Sequence, residues 1–184
     1  VVIQGKESQN SDFSYYMFKQ ILHSIRQSVE FQLGLSVSFV WSEKTCNFQT
    51  ISERYTQVKR LAKYRYFLPD TYILNEQYLA TAANQVDIAD LDIDLGELKL
   101  AINNLDRQSV SNLISKLYLE RTAKSLDFAV LQYLRDKIEL IFNEILSKIP
   151  PNAPFQFPKL EYANIEQEYL NIRMLFLESI AQIS

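Results

Sequence analysis

Three carboxylates, Asp90, Asp92 and Asp94, stand at alternate positions, as at the start of a calcium-binding loop. Such a loop also needs a glycine at its sixth position for the sharp turn and a bidentate glutamate at its twelfth. Counted from Asp90, those positions hold Leu95 and Ala101. The acids therefore read as a solvated linker ending in a helix N-cap at Asp94, where a carboxylate favours the positive end of the helix dipole. His23 is the single histidine and Cys46 the single cysteine. A nucleophile, general base or metal ligand works only with partners, and neither residue has a matching one nearby in the chain. His23 reads as a structural or surface residue, Cys46 as a half-buried thiol. The glycines, Gly5, Gly34 and Gly96, lie far apart, so no loop is built to cradle a phosphate. We expect no enzyme, no cofactor and no metal.

Arg54, Lys59, Arg60, Lys63 and Arg65 give one helix a basic side able to meet phosphates. Tyr64, Tyr66 and Phe67 follow at once, and aromatic rings can stack on bases. The whole chain carries a net charge of −3, which gives it no general pull toward a phosphate backbone. The basic side reads as the wet face of a sheet-packed helix, and the aromatics as packing at its end.

The element that must position these residues runs from Gly34 to Leu74. Leu35, Val37, Phe39 and Trp41 alternate with Ser36, Ser38, Val40 and Ser42, the period of a half-buried strand. Thr50 and Glu53 form a capping box ahead of a helix with Ile51, Tyr55, Val58, Leu61 and Ala62 at helical spacing. Pro69-Asp70 is a turn signal, and Thr71 to Leu74 are β-prone. Upstream, Val1 to Ile3 read as a strand. A helix follows over 12–33, striped by Phe13, Met17, Ile21, Ile25, Val29 and Leu33, with Phe18 and Leu22 beside them. Gly34 is its C-cap, since glycine tolerates a positive φ. Residues 1–74 thus form a small β-α-β-α-β sheet unit.

Beyond residue 74 the alternation stops. Residues 75–94 read as a linker, with an ambiguous, short helical stretch at its start. Residues 95–184 read as a helical region. Asp106 caps a helix that buries Val110, Leu113, Ile114, Leu117 and Tyr118. Ser125 caps a longer one carrying Phe128, Leu131, Leu134, Ile138, Ile141, Ile145 and Ile149, which Pro150-Pro151 ends. Residues 152–160 read as extended. Asn164 and Gln167 cap the last helix. Ile165, Tyr169, Ile172, Phe176 and Ile180 stripe it, and Leu170, Met174 and Leu177 add a second stripe. A helix apolar on two sides is buried on two sides: it either completes a bundle within the chain or turns one face to a second copy or an adjoining domain, and Ile165, Tyr169, Ile172, Phe176 and Ile180 are the candidate interface. The fold class is α+β, mostly α: a small sheet unit followed by a helical bundle.

The composition is that of a folded chain, 47% hydrophobic, with no apolar run long enough to span a bilayer. The start, VVIQGKESQ, lacks an initiator Met and a signal peptide and reads as the middle of a domain. A lone thiol suits a reducing cytoplasm.

The run LGLSVSFVWSEKTCNFQTISERYTQVKRLAKYRYFLPDTYIL resembles the central region of a bacterial group of AraC-type transcription regulators, many of them two-component response regulators. The resemblance rests on the Gly34–Ser38 strand start, a Thr-led helix with Tyr55 near its first turn, and the aromatic Tyr64–Leu68 segment before a short strand. Glu97 to Glu120 is similar to the helical segment that precedes the family's DNA-binding domain. The resemblance implies a degenerate, GGDEF-like half-domain, a receiver domain upstream and a double helix-turn-helix downstream. No G-G-D/E-E-F signature occurs here, so nucleotide cyclisation is not implied. The first half of the cyclase-like fold and the helix-turn-helix are not in this chain. The resemblance implies a non-enzymatic module that relays a signal as a cytoplasmic homodimer and reaches DNA through the domain absent here. The alternative is a small-molecule sensor, with its ligand between the sheet and Tyr64 to Phe67.

Overall fold

The computed structural model describes residues 11–42, 50–82, 85–147 and 163–183. The expected strand at Val1–Ile3, the thiol of Cys46, the stop at Pro150-Pro151 with Ile149, and the extended stretch 152–160 lie outside the described residues. Helix α1 spans Ser11–Leu33 and strand β1 Phe39–Val40. Helix α2, Ile51–Ala62, tightens into a 3₁₀ turn over Lys63–Tyr66 before strand β2, Ile73–Leu74. Then come α3 (Glu76–Ala82), α4 (Ile88–Asn103) and α5 (Arg107–Ser115). A π-helical stretch, Lys116–Thr122, continues α5 and runs into one turn, α6, at Ala123–Ser125. Helices α7 (Phe128–Leu146) and α8 (Ile165–Ile183) complete the bundle. The chain is mostly α with a small α+β unit, the expected class.

The sheet is shorter than the alternation of Leu35 to Trp41 implies. Strands β1 and β2 pair in parallel, with Phe39 opposite Ile73 and Val40 opposite Leu74. The Phe39 amide donates to the Tyr72 carbonyl at 2.7 Å and the Trp41 amide to that of Leu74 at 3.1 Å. Leu35 stays exposed, and Val37, Phe39 and Trp41 are half-buried. Apolar alternation marks a surface that suits a strand, but a ladder also needs a partner of equal length. Here that partner, following the Pro69-Asp70 turn, offers two residues. The α2 crossover between parallel strands makes the unit a compact β-α-β.

Thr50 is a further correction. Its backbone is already helical (φ −88°, ψ −6°), and its side chain makes no cap hydrogen bond. An N-cap works from an extended backbone. Gly34 does as expected: φ is +64°, and its amide closes onto the Glu30 carbonyl at 3.1 Å.

The core lies in the helical half. It joins Leu91, Leu95 and Leu98 of α4, Val110 and Ile114 of α5, and the apolar stripe of α7 from Leu131 to Ile145. From α8 come Ile165, Ile172, Phe176 and Ile180, and the Phe142 and Phe176 rings meet edge to face at 5.7 Å. Each large side chain buried this fully contributes about 1.5–3 kcal/mol by transfer from water. The expected stripe on α7 therefore holds, although Phe128 at its start is half-open and packs against the aromatic 3₁₀ turn.

Two boundaries move. Helix α4 starts at Ile88, capped by Asp87, whose carboxylate accepts from the Ala89 amide. The linker is thus shorter than 75–94, and Asp94 sits mid-helix rather than at a cap. Helix α7 is capped by Asp127, not Ser125; Ser125 is buried, donates to the Thr122 carbonyl and accepts from the Asp127 amide. Leu126 between them adopts a left-handed φ of +53°, and that turn redirects the chain. Asp106 and Asn164 cap as expected. Asp106 accepts from the Gln108 and Ser109 amides, each at 3.1 Å, and Asn164 accepts from the Gln167 amide at 2.8 Å.

Candidate functional site

The helical half carries the most unusual chemistry. Two acids are almost entirely shut away from water, Asp94 on α4 at 2% exposure and Glu168 on α8 at 0%. A buried carboxylate is costly unless it is paired and fully hydrogen-bonded. Each of these has its own set of donors, and the π-helical stretch touches both.

Asp94 accepts from Lys116 Nζ at 2.6 Å and from Arg121 Nε at 3.2 Å. Arg121 also reaches Asp90 at 3.0 Å through Nη1. Lys116 and Arg121 are five residues apart. In an α-helix they would diverge by roughly 140° around the axis. A π turn closes on the fifth residue instead, so both cations reach one carboxylate. The acid holds the Lys116 ammonium above its usual pKa range. Asp92, the middle acid, points elsewhere and accepts from the Tyr133 hydroxyl at 2.6 Å. Asp90 and Asp94, one turn apart, thus share a face and a cation, while the 3.6-residue pitch carries Asp92 to another side.

Glu168 is the hub of the second set. Arg135 on α7 donates from Nε to Oε1 at 2.9 Å and from Nη2 to Oε2 at 2.5 Å, a two-pronged clamp. The Tyr66 hydroxyl donates to Oε2, and the Tyr118 hydroxyl, in the π stretch, to Oε1 at 3.3 Å. Arg135 Nη2 also donates to the Tyr66 oxygen at 2.9 Å. Burial, then the hydrogen bond to Glu168, pushes the Tyr66 phenol up. Burial pushes Tyr118 up as well, helped by the neighbouring Glu168 charge. The hydrogen bond to Glu168 holds the Arg135 guanidinium firmly protonated. Phenols held this way are poor proton donors, and the carboxylate oxygens already have donors. The arrangement orders structure.

What it orders is a junction. Tyr66 belongs to the α/β unit, while Glu168, Arg135 and Tyr118 belong to the bundle. Around that polar centre Phe67 is buried, with its ring 4.7 Å from Phe128, and Tyr64 meets Phe128 at 5.6 Å. The aromatic segment read as helix-end packing therefore packs, but on the bundle rather than the sheet. Its rings are engaged with protein, so base stacking by Phe67 is ruled out by its burial.

The other sequence candidates are not brought together. His23 is exposed, its ring 6.0 Å from Tyr72. Arg54 donates to Gln57 at 2.9 Å, Lys59 lies over the Tyr55 ring, and Arg65 reaches the Pro69 carbonyl. The basic residues are spread along α2 and its 3₁₀ end. Arg60 borders an open cleft of about 460 Å³ between α2 and α3, with Glu53, Gln57, Leu61, Tyr64 and Leu79. Among the described residues no group of His, Cys, Asp or Glu is placed to hold a metal ion. No described helix is long and apolar enough to cross a membrane.

The interface stripe on α8 needs correction. Ile165, Ile172, Phe176 and Ile180 are buried within this chain and Tyr169 is half-buried, so they are spent on the intrachain core. The stripe left open on α8 is the other one, Leu170 and Met174. Neither buried acid was legible as such in the sequence. Glu168 follows Gln167 in what looks like an ordinary first helical turn, and its spacing with Ile165 and Ile172 was the available signal.

No family model, no curated protein and no solved structure matches this chain.

Proposed function

We propose that this chain is a non-enzymatic regulatory module of the AraC-type regulator kind, relaying a signal to a downstream DNA-binding domain. In this role the α/β unit receives a displacement and the bundle passes it on, with self-association setting the spacing of two DNA-binding heads. The observation that carries it is the junction at Glu168. One hydroxyl, Tyr66, and one ring, Phe67, from the α/β unit enter a polar hub whose other members stand on α7, α8 and the π stretch. Such a joint is short, directional and costly to leave half-made, which suits an element with discrete docked and undocked states. The reading frame beyond Ser184 tests the class: a helix-turn-helix pair there supports it, and any other continuation, or a stop codon, overturns it. In the full-length protein, Tyr66→Phe should alter reporter transcription at unchanged protein level. Unaltered transcription would remove the junction from the relay.

A second role, a small-molecule sensor, is favoured by the cleft beside Tyr64, whose volume lies in the range of ligand sites. Its lining mixes Arg60 with Glu53, so a thermal-shift screen would begin with nucleotides, sugars and zwitterions; a rise in Tm that Tyr64→Ala abolishes supports it.

A further inference from the structure

Helix α1 is apolar over more of its circumference than the other described residues cover. At about 100° per residue, its apolar residues span an arc of roughly 200°. One half of that arc faces inward: Leu22 is buried and Phe18 meets the Trp41 ring edge-on at 5.5 Å. The other half holds Met17, Ile21, Ile25 and Phe31, which are 43%, 50%, 41% and 92% exposed. Ser24 and Ser28 lie among them, and no charged residue does. Lys19, Arg26 and Glu30 fall on the remaining side, where Arg26 lies over the Tyr72 ring and pairs with Glu30 at 2.6 Å. The stripe expected to bury α1 in its own unit is therefore the stripe that faces out, because the two-residue strands below it are too short to cover both halves.

We propose that this outward side of α1 binds a second copy of the chain, as an antiparallel helix pair about a two-fold axis near Ser24. This rests on the self-association in the proposed function and is independent of the regulatory role. An uncharged surface offers no sign for a charged partner to match, and it meets itself without like-charge cost. A two-fold contact uses one patch twice. Centred on Ser24, it sets Met17 of one copy against Phe31 of the other and lets the small serines bring the backbones close. Antiparallel packing also opposes the two helix dipoles favourably. The four apolar side chains expose on the order of 400 Å², the size of the largest apolar patch on a typical monomer, which is often functional. With Gln20, Ser24, Gln27 and Ser28 included, two copies bury roughly 1,000 Å² in total, where specific interfaces begin.

Sedimentation equilibrium of the chain should give twice its 21.5 kDa mass. Ile21→Glu should return it to a single mass with an unchanged urea midpoint, since Ile21 is half-exposed. Should that variant unfold, disulfide trapping in a Cys46→Ser background still decides. Ser24→Cys should cross-link to itself, and Met17→Cys should cross-link with Phe31→Cys but not with itself. A single mass for the unmutated chain overturns the proposal, and co-sedimentation of that monomer with phosphatidylglycerol vesicles would assign the face to lipid. A dimer that survives Ile21→Glu and is lost in Met174→Glu overturns α1 while leaving self-association intact. Self-linking Met17→Cys overturns the antiparallel arrangement.

Discussion

Replacing Arg135 by Met should destabilise this protein more than any exposed charge deletion. The change keeps the length and apolar stem of the side chain, so it removes the guanidinium with little loss of packing. Glu168 remains at 0% exposure with its two hydroxyl donors and no cation. Breaking a buried pair from one side costs about 3–5 kcal/mol, because the surviving charge stays buried and uncompensated. Arg135 is 19% exposed in its side chain, so water reaches part of the pair, and both tyrosines stay as donors. The lower end, about 3 kcal/mol, is therefore expected. For a chain of 184 residues this lowers Tm by about 6–12 °C. Urea unfolding followed by circular dichroism measures the loss directly. The double variant Arg135→Met/Glu168→Met should recover most of it, since two apolar groups replace two charges, and the cycle should give a large coupling energy. A loss under about 1 kcal/mol in Arg135→Met, or a double variant as unstable as the sum of the singles, would refute the clamp as the source of the junction's stability.

Asp94→Asn keeps the size of the side chain, takes the carboxylate from between Lys116 and Arg121, and leaves Arg121 only its pair with Asp90. Both cations are about a third exposed, so solvent screening reduces the expected loss to about 1–2 kcal/mol. Amide hydrogen exchange should quicken across Lys116–Thr122 first. The raised phenols of Tyr66 and Tyr118 favour the folded state fully below the unfolded tyrosine value near pH 10. That stabilisation is lost as pH rises above it. Absorbance at 295 nm should therefore show both tyrosines silent until alkaline unfolding, and Tyr66→Phe should lessen the pH dependence of that limb. Asp106 shows the opposite sign. Its hydrogen bonds with Ser109 hold the carboxyl below its usual range, so its contribution is present above the unfolded value near pH 3.9 and fades as pH falls below it. Asp106→Asn should flatten the acid limb of the stability curve while remaining capped at neutral pH.

Much of the helical half could be read in advance. Val110, Ile114, Leu131, Leu134, Ile138, Ile172 and Phe176 recur at helical spacing and are all buried, because period and burial are the same fact for a helix packed on one side. Gly34, Asp106 and Asn164 were legible because a cap is a local contract between a side chain and amides two or three residues away. The acids were not. Asp94 sits in an acid-rich run that looks solvated, and its burial depends on cations supplied 22 and 27 residues later. Glu168 depends on Arg135 and Tyr66, 33 and 102 residues distant. Pairing at that range leaves no local pattern. The outward side of α1 differs for the opposite reason: a regular apolar stripe marks a face suited to burial, but Met17, Ile21 and Ile25 stay open over a sheet of two-residue strands.

The seven residues from Lys116 to Thr122 are wound more loosely than the helices on either side, and they are in contact with both buried acids at once. Lys116 and Arg121 grip one, Tyr118 the other. One short coil thus carries donors to both acids and leads directly into the left-handed corner at Leu126, from which α7 departs. A substitution that resets the winding of these seven residues therefore strikes two buried carboxylates rather than one, and is expected to cost more stability than the loss of either hydrogen-bond set alone.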